Sequence, residues 1–344
     1  LPPPVEAIDA AVDCLHRKDS HGYQMTVGLP ELRAAFAEWY GRIYGVRNLD
    51  PNTNILPLIG SKEGVLNIAL AYVNPGDAVL VPNPGYPTYT SASRLAGADI
   101  ISYDLCEERN WEPDFDALER LDLSRVKVMW VNYPHMPTGT PARAELFERL
   151  VDFGRRHSIL IVNDNPYSLI LNDSPLSILS VEGAMDTAIE MNSLSKCLNM
   201  AGWRVGMIAG APEFISTILK VKSNIDSGQP RAMMEGAIAA LGQGQAWYAA
   251  LSDVYRRRQK VAALVMEAMG CTVRPGQQGL FLWGRIPDTY ADAEALSDAV
   301  LDRARVFVTP GFIFGSQGKR YVRVSLCEPE DLIYQAYKRI EQCL

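Results

Sequence analysis

Short apolar runs alternate with helical stretches through most of the chain. The helical stretches, such as Gly64–Val73 and Ala142–His157, carry apolar residues at helical spacing. Strands that are apolar on both faces and alternate with helices are typical of a mostly parallel sheet covered on both sides. The pattern therefore predicts an α/β fold with helices flanking that sheet. The runs predicted as strands are Ile55–Ile59, Ala78–Pro82, Ile100–Tyr103, Val126–Tyr133, Ile159–Val162, Thr187–Asn192 and Val205–Ala209.

The C-terminal part of the chain follows a different pattern. A helix-rich segment covers residues 212–269, and a last helix is predicted from Pro329. We predict a large domain over residues 30–235, and a smaller α/β domain formed by residues 236–344 together with residues 1–29. The shorter strands predicted in the smaller domain are Leu280–Trp283, Val306–Thr309 and Tyr321–Leu326.

Composition and charge exclude several classes of protein. Hydrophobic residues make up 48% and charged residues 21% of the chain, which is typical of soluble globular proteins. The formal net charge of −7 argues against a nucleic-acid-binding surface, and no apolar run approaches the roughly 20 residues of a membrane helix. The six cysteines are scattered without a Cys-x-x-Cys pair, so neither a disulfide framework nor a zinc site is indicated. We expect a cytoplasmic location.

Polar residues follow several of the predicted strands, where open α/β sheets bind their ligands. Lys196 ends the segment Ser193-Leu194-Ser195-Lys196, and Arg204 follows it. Upstream, Asp164 closes an apolar strand and is followed by Tyr167. The lysine can form an imine with an aldehyde, the hydroxyls and the arginine can grip a phosphate, and the carboxylate can keep a pyridine nitrogen protonated. One cofactor has these three parts, pyridoxal 5′-phosphate.

This set of residues resembles the class I/II aminotransferases of the fold-type I pyridoxal-phosphate family. The scaffold segments Gly60–Gly64 and Ser223–Gly228 look like those of the aspartate and LL-diaminopimelate aminotransferases. The resemblance runs from about residue 2 to the C-terminus. It implies that Lys196, Asp164 and Tyr167 are catalytic and that Arg323 binds the substrate's α-carboxylate. The residues implied to bind the cofactor are Ser61, Lys62, Tyr86, Asn132, Asp164, Tyr167, Ser193, Ser195, Lys196, Arg204 and Tyr23.

The resemblance also implies what several of these residues do. The turn around Ser61 grips the phosphate, Tyr86 stacks on the cofactor ring, and Tyr167 bonds its phenolic oxygen. Tyr23 reaches the phosphate of a partner subunit, so a homodimer with shared active sites is implied. Taken singly, the motifs also fit ordinary structure, since Ser61 is a good helix cap and Asp164 lies in a typical strand-ending turn.

The chain departs from the family pattern at one position. Relatives commonly read Asn-Pro-Thr-Gly where this chain has Met136-Pro137-Thr138-Gly139, and a thioether cannot donate a hydrogen bond. Asn132 is one candidate to replace the lost donor. Our hypothesis is that Tyr167 alone holds the phenolic oxygen, which raises the pKa of the Lys196 imine. Relatives also carry a few dozen residues before Pro2, which the resemblance places over the active site.

The resemblance implies transfer of an amino group between an L-amino acid and a 2-oxo acid by ping-pong chemistry through a Lys196 imine. A carbon–sulfur β-lyase would share every motif. A ligand-sensing regulatory module of the same fold is a more remote alternative, because no basic DNA-binding segment is visible. A nicotinamide dehydrogenase is disfavoured, since no Gly-x-Gly-x-x-Gly follows a strand. The substrate stays open, and we expect Phe281 and Trp283 to be core residues rather than pocket walls.

Overall fold

A seven-stranded sheet lies at the centre of the larger part of the molecule, in the order β1-β7-β6-β5-β4-β2-β3. The computed structural model describes residues 1–344. β2 to β6 run parallel to one another, whereas β7 is antiparallel to both β6 and β1. The mostly parallel sheet predicted from the sequence is confirmed. Its strands are β1 (Ile55–Leu58), β2 (Ala78–Asn83), β3 (Asp99–Asp104), β4 (Val126–Val131), β5 (Leu160–Asp164), β6 (Ala188–Ser193) and β7 (Gly206–Ala209).

Helices cover both faces of this sheet, because its strands are apolar on both sides. Along β2, Leu80 belongs to one buried cluster, and Val79 and Val81 belong to the other. This alternation follows from the two-residue period of a strand. The helices of this part are α1 (Val5–His16), α2 (Pro30–Tyr44), α3 (Ser61–Tyr72), α4 (Pro87–Leu95), α5 (Phe115–Leu118), α6 (Ala144–His157), α7 (Leu194–Cys197), α8 (Pro212–Lys222) and α9 (Arg231–Leu241).

A smaller antiparallel sheet follows in the C-terminal part, in the order β10-β11-β9-β8. One face of β9 and β11 carries Leu282, Val322 and Val324, which lie in a buried cluster with residues of the surrounding helices. The opposite face carries Trp283 and Arg323, which are direct cross-strand neighbours. The elements are α10 (Gln245–Ala268), β8 (Thr272–Val273), β9 (Phe281–Arg285), α11 (Ala293–Ala304), β10 (Thr309–Pro310), β11 (Tyr321–Ser325) and α12 (Glu330–Cys343).

The domain bounds at residues 29 and 235 stay a prediction. α1 packs against α9, and its Ala7 lies in the same buried cluster as Trp39 of α2. One predicted strand, Val306–Thr309, is shorter than expected, since only Thr309 and Pro310 pair with β11. None of the helices combines the length and the apolar composition that crossing a membrane requires.

Candidate active site

A cavity of about 480 Å³ lies where the carboxyl ends of the large sheet meet the small sheet. All but one of the residues predicted from the sequence line it. The exception is Tyr23, which is 91% exposed and borders a surface hollow with Gln24 and Met25. The predicted residues that the structure brings together are Ser61, Lys62, Tyr86, Asn132, Asp164, Tyr167, Ser193, Ser195, Lys196, Arg204 and Arg323.

Lys196 is placed by the short helix α7, which begins where β6 ends. Ser193 caps this helix, since its Oγ accepts a hydrogen bond from the Ser195 amide at 3.2 Å. The Ser193 hydroxyl in turn donates to Ser195 Oγ at 2.9 Å. A side-chain cap fixes the first turn of a helix, so the two hydroxyls and Lys196 share one wall of the cavity.

Three chain segments meet at the start of α3 and form a candidate anion site. Gly60 has a φ of +76°, and a Cβ there would collide with the guanidinium of Arg204, which crosses over it. Arg204 donates to the Ala201 carbonyl at 2.9 Å and to the Ile59 carbonyl at 3.4 Å. A Cβ on Gly206 would lie 3.0 Å from the Ser61 amide nitrogen. The amides of a helix N-terminus and an arginine are a favourable setting for a phosphate.

A buried charged network lies beneath this turn. Glu63 accepts hydrogen bonds from the Ile59 amide at 2.5 Å and from Asn67 Nδ2 at 2.7 Å. Lys222 is 1% exposed, pairs with Glu63 at 3.4 Å, and forms a second ion pair with Asp226. Because the lysine joins α8 to the first turn of α3, it holds the turn in place.

Asp164 ends β5 with a buried carboxylate of which one oxygen is unpaired. Its Oδ2 accepts a hydrogen bond from the Tyr89 hydroxyl at 3.0 Å, whereas Oδ1 has no partner in the chain. Burial raises the pKa of Asp164 to about 7, against the hydrogen bond from Tyr89 and with a smaller contribution from the charge of Glu190. An unpaired carboxylate oxygen in this setting favours a ligand that carries a proton or a positive charge.

Asn132 is held by the backbone. Its side-chain amide donates to the Asp164 carbonyl at 2.5 Å, and its oxygen accepts from the Met136 amide at 2.8 Å. One of its two N–H groups is thus occupied, and whether the other replaces the donor lost at Met136 stays a hypothesis. Tyr167 lies edge-on to Phe281, with ring centroids 6.1 Å apart, and burial raises its pKa.

Arg323 is a cation without an anionic partner. Its guanidinium lies 3.9 Å from the ring centre of Phe281 and 4.5 Å from that of Phe314, and Nη1 contacts the sulfur of Met136 at 3.4 Å. The buried Nε has no hydrogen-bond partner, and burial lowers the pKa of the side chain. Aromatic faces stabilise such a cation only partly, so a carboxylate from a substrate would complete the site.

Sequence reasoning missed part of the cavity wall. Phe281 was expected in the core but is only partly buried and lines the cavity, whereas Trp283 is 2% exposed as expected of a core residue. Tyr89, Ile313 and Phe314 were not singled out, although all three line the cavity. Tyr89 lies one helical turn after Tyr86, and that spacing was the available signal.

The residues of this cavity fit pyridoxal 5′-phosphate. The unpaired Asp164 Oδ1 suits a protonated ring nitrogen, and the turn at Gly60, which has room only for a residue without a Cβ, suits a phosphate beside Arg204. Lys196 lines the same cavity and supplies an amine for an aldehyde.

Known proteins resemble the chain over nearly its whole length. Residues 1–340 match the family model described as aminotransferase class I and II. The LL-diaminopimelate aminotransferase of Aquifex aeolicus is 40% identical over 343 residues, covering 99% of this chain and 88% of that protein. The apo structure of BacF from Bacillus subtilis aligns with a TM-score of 0.95 at 33% identity, covering 99% and 92% of the two chains. An aromatic aminotransferase from Pyrococcus horikoshii aligns with a TM-score of 0.93 at 28% identity, covering 99% and 92%.

Proposed function

The chain belongs to the class I and II aminotransferases and is an enzyme that transfers amino groups, and we propose that it does so with pyridoxal 5′-phosphate anchored on Lys196. The observation that carries this proposal is the meeting of Lys196, the unpaired Asp164 Oδ1 and the anion site at Ser61 and Arg204 in one cavity. When bound, this cofactor supplies the electron sink that lets a substrate lose the proton of its α-carbon.

The residues of the chain divide the remaining work. Arg323 binds the α-carboxylate of the substrate and thereby orients its α-carbon. Lys196 Nζ would remove the proton from that carbon as general base and deliver it as general acid to the cofactor carbon that carried the aldehyde. With the cofactor bound, Asp164 would keep the ring nitrogen protonated, Tyr86 would cover the ring, and Tyr167 would donate to the phenolic oxygen.

A second copy of the chain completes the site in this proposal. Tyr23 and Met25 are 91% and 73% exposed, which is unusual for such large side chains unless another surface covers them. We assign Tyr23 to the phosphate of the partner's active site. Sedimentation of the purified protein is expected to show a dimer. Tyr23→Phe is expected to weaken cofactor binding while the protein stays a dimer. A monomeric protein, or a Tyr23→Phe variant that binds the cofactor as tightly as the wild type, would contradict this assignment.

LL-diaminopimelate is the first candidate for the amino donor, because it is the substrate named for the relative from Aquifex aeolicus. A second candidate, an L-amino acid with an apolar or aromatic side chain, is favoured by the wall of the cavity. Phe281, Phe314 and Met136 contact Arg323, and Ile313 lines the same cavity, so that a substrate side chain there would lie in largely apolar surroundings.

The experiment that tests the proposal begins with the visible spectrum of the purified protein. We expect a coloured band that Lys196→Ala abolishes, and loss of that band when a true donor is added without an oxo acid. Comparing LL-diaminopimelate, glutamate, phenylalanine and leucine by the rate of this loss identifies the donor class. Failure to bind pyridoxal 5′-phosphate would overturn the cofactor assignment, and release of pyruvate and ammonia from cysteine-type substrates alone would favour a β-lyase.

A further inference from the structure

Tyr89 contacts the carboxylate that the proposed function places at the ring nitrogen. Its ring is 0% exposed, and its hydroxyl makes the only hydrogen bond to the Asp164 carboxylate, at Oδ2 and 3.0 Å. We propose that Tyr89 is a positioning residue that keeps Asp164 ionised and turned so that Oδ1 is free for the cofactor. This inference rests on the proposed binding of pyridoxal 5′-phosphate.

The phenol of Tyr89 is held in one orientation by a buried platform. It stacks on Trp130 with ring centroids 5.3 Å apart and an interplanar angle of 4°. The indole of Trp130 is itself fixed, because its N–H donates to Ser93 Oγ at 3.1 Å, whereas Tyr103 bonds only the backbone carbonyl of Trp130 at 2.6 Å. A donor held in this way loses little conformational entropy when it bonds the carboxylate.

Tyr89 also links two contacts of the cofactor ring. Its ring lies edge-on to Tyr86, with centroids 5.5 Å apart and an interplanar angle of 84°. Tyr86 is the residue assigned to cover the ring, and Asp164 is the residue assigned to its nitrogen. One rigid side chain therefore sets the spacing between the group that stacks on the ring and the group that pairs with it.

The electrostatic setting makes the hydroxyl necessary. Burial favours the neutral form of Asp164, and the nearby buried carboxylate of Glu190 acts in the same direction. Glu190 has donors of its own, namely the Tyr40 hydroxyl at 2.9 Å, Asn163 Nδ2 at 2.9 Å and the Ile178 amide at 3.0 Å. Tyr89 is the donor left for Asp164, and a hydrogen bond to the charged form favours ionisation.

A role in packing alone would involve the ring and not the hydroxyl. Tyr89→Phe removes only the oxygen, so it separates the two roles. Tyr103→Phe is a matched control, because it removes a buried hydroxyl that bonds only the backbone carbonyl of Trp130, which β4 also holds in the sheet, and does not contact Asp164. Thermal melting of the apoenzymes shows whether both variants are folded.

The test is a titration of each apoenzyme with pyridoxal 5′-phosphate and with its 1-deaza analogue, in which carbon replaces the ring nitrogen. Loss of a hydrogen bond to a charged group predicts that Tyr89→Phe weakens binding of pyridoxal 5′-phosphate by about tenfold or more. Binding of the analogue is expected to stay within about threefold, since it has no nitrogen for Asp164 to pair with. Tyr103→Phe is expected to leave both affinities within that range.

Two results would overturn the inference: equal weakening for both cofactors, which indicates packing, or no weakening for either. In the Asp164→Asn background, Tyr89→Phe is expected to have no further effect, and an undiminished effect there would also count against it. Should Tyr89→Phe not fold, Ser93→Ala loosens the same platform and is expected to weaken binding of the nitrogen-containing cofactor alone. If the wild-type chain binds neither cofactor, the proposed function itself has failed.

Discussion

Replacing Lys222 is predicted to lower the stability of the protein more than replacing any other charged residue outside the cavity. Its side chain is 1% exposed, and its ammonium group lies between Glu63 and Asp226, whose side chains are 17% and 9% exposed. Lys222→Met keeps most of the volume of the side chain and removes its charge. Two carboxylates then remain in a setting with little water and no cation.

Removing one partner of a buried ion pair costs about 3–5 kcal/mol, because the charge that remains is neither solvated nor paired. Glu63 keeps its bonds from the Ile59 amide and Asn67, and Asp226 keeps one from the Gly228 amide. We therefore expect the lower end, about 3 kcal/mol. At ~2 °C per kcal/mol, this corresponds to a fall in melting temperature on the order of 6 °C.

The assay is scanning calorimetry of the apoenzyme, in which cofactor binding adds no stability. Lys220→Met is the matched control, because Lys220 lies on the same helix but is exposed. The triple variant with Glu63→Gln and Asp226→Asn is expected to recover most of the loss, since it leaves no unpaired charge.

Two results would refute this reasoning. If Lys222→Met and Lys220→Met have the same melting temperature, the network contributes nothing to stability. If the triple variant is no more stable than Lys222→Met, the loss comes from packing rather than from charge.

Three further predictions concern the cavity. Arg323→Gln is expected to raise KM for amino acids about 100-fold in steady-state kinetics, since about 3 kcal/mol of charge-assisted hydrogen bonding to the α-carboxylate is lost. The control is an amine that lacks a carboxylate, for which KM is expected to stay unchanged. Met136→Asn is expected to lower the pKa of the Lys196–cofactor band by about one unit in a spectrophotometric titration, because the amide adds a donor to the phenolate, and an unchanged pKa would leave the Met136 hypothesis without support. The raised pKa of Asp164, about 7, means that the folded apoenzyme keeps a proton that the unfolded chain has lost. Its stability should therefore fall as pH rises from about 4 to 7, and melting temperatures of Asp164→Asn should show a smaller slope.

The sheet could be predicted because its strands carry a strong local signal. A continuous apolar run such as Ile159–Val162 is buried on both faces, and Asp164, which follows it, marks the ligand edge. The direction of β7 could not be predicted in the same way, because an apolar run does not indicate whether its strand is parallel or antiparallel to its neighbours. The short length of β10 could not be predicted either, since Phe307 is a residue type favoured in strands but is 65% exposed.

The site could be predicted where its residues follow successive strands, because the carboxyl ends of parallel strands meet at one edge. Asp164 and Lys196 belong to that class. The contacts of Arg323 do not, since Met136 and Phe314 reach it from elements far apart in the chain. The proposed role of Tyr89 could not be predicted for a similar reason, because it depends on a hydroxyl on α4 that donates to a carboxylate at the end of β5.

In the proposed function, Lys196 near the large sheet acts on the α-carbon of the substrate, and Arg323 on the small sheet binds the carboxylate bonded to that carbon. A few contacts outside the cavity join the two sides: Tyr321 donates to Glu107 at 2.8 Å, and Arg274 donates to the Glu107 carbonyl at 2.9 Å. These contacts help to set the distance between the two sheets, and with it the distance between Lys196 and Arg323. Because every α-amino acid carries its amino group and its α-carboxylate on the same carbon, a change at Glu107 or Tyr321 that widens this distance is expected to slow all donors alike rather than to admit bulkier ones.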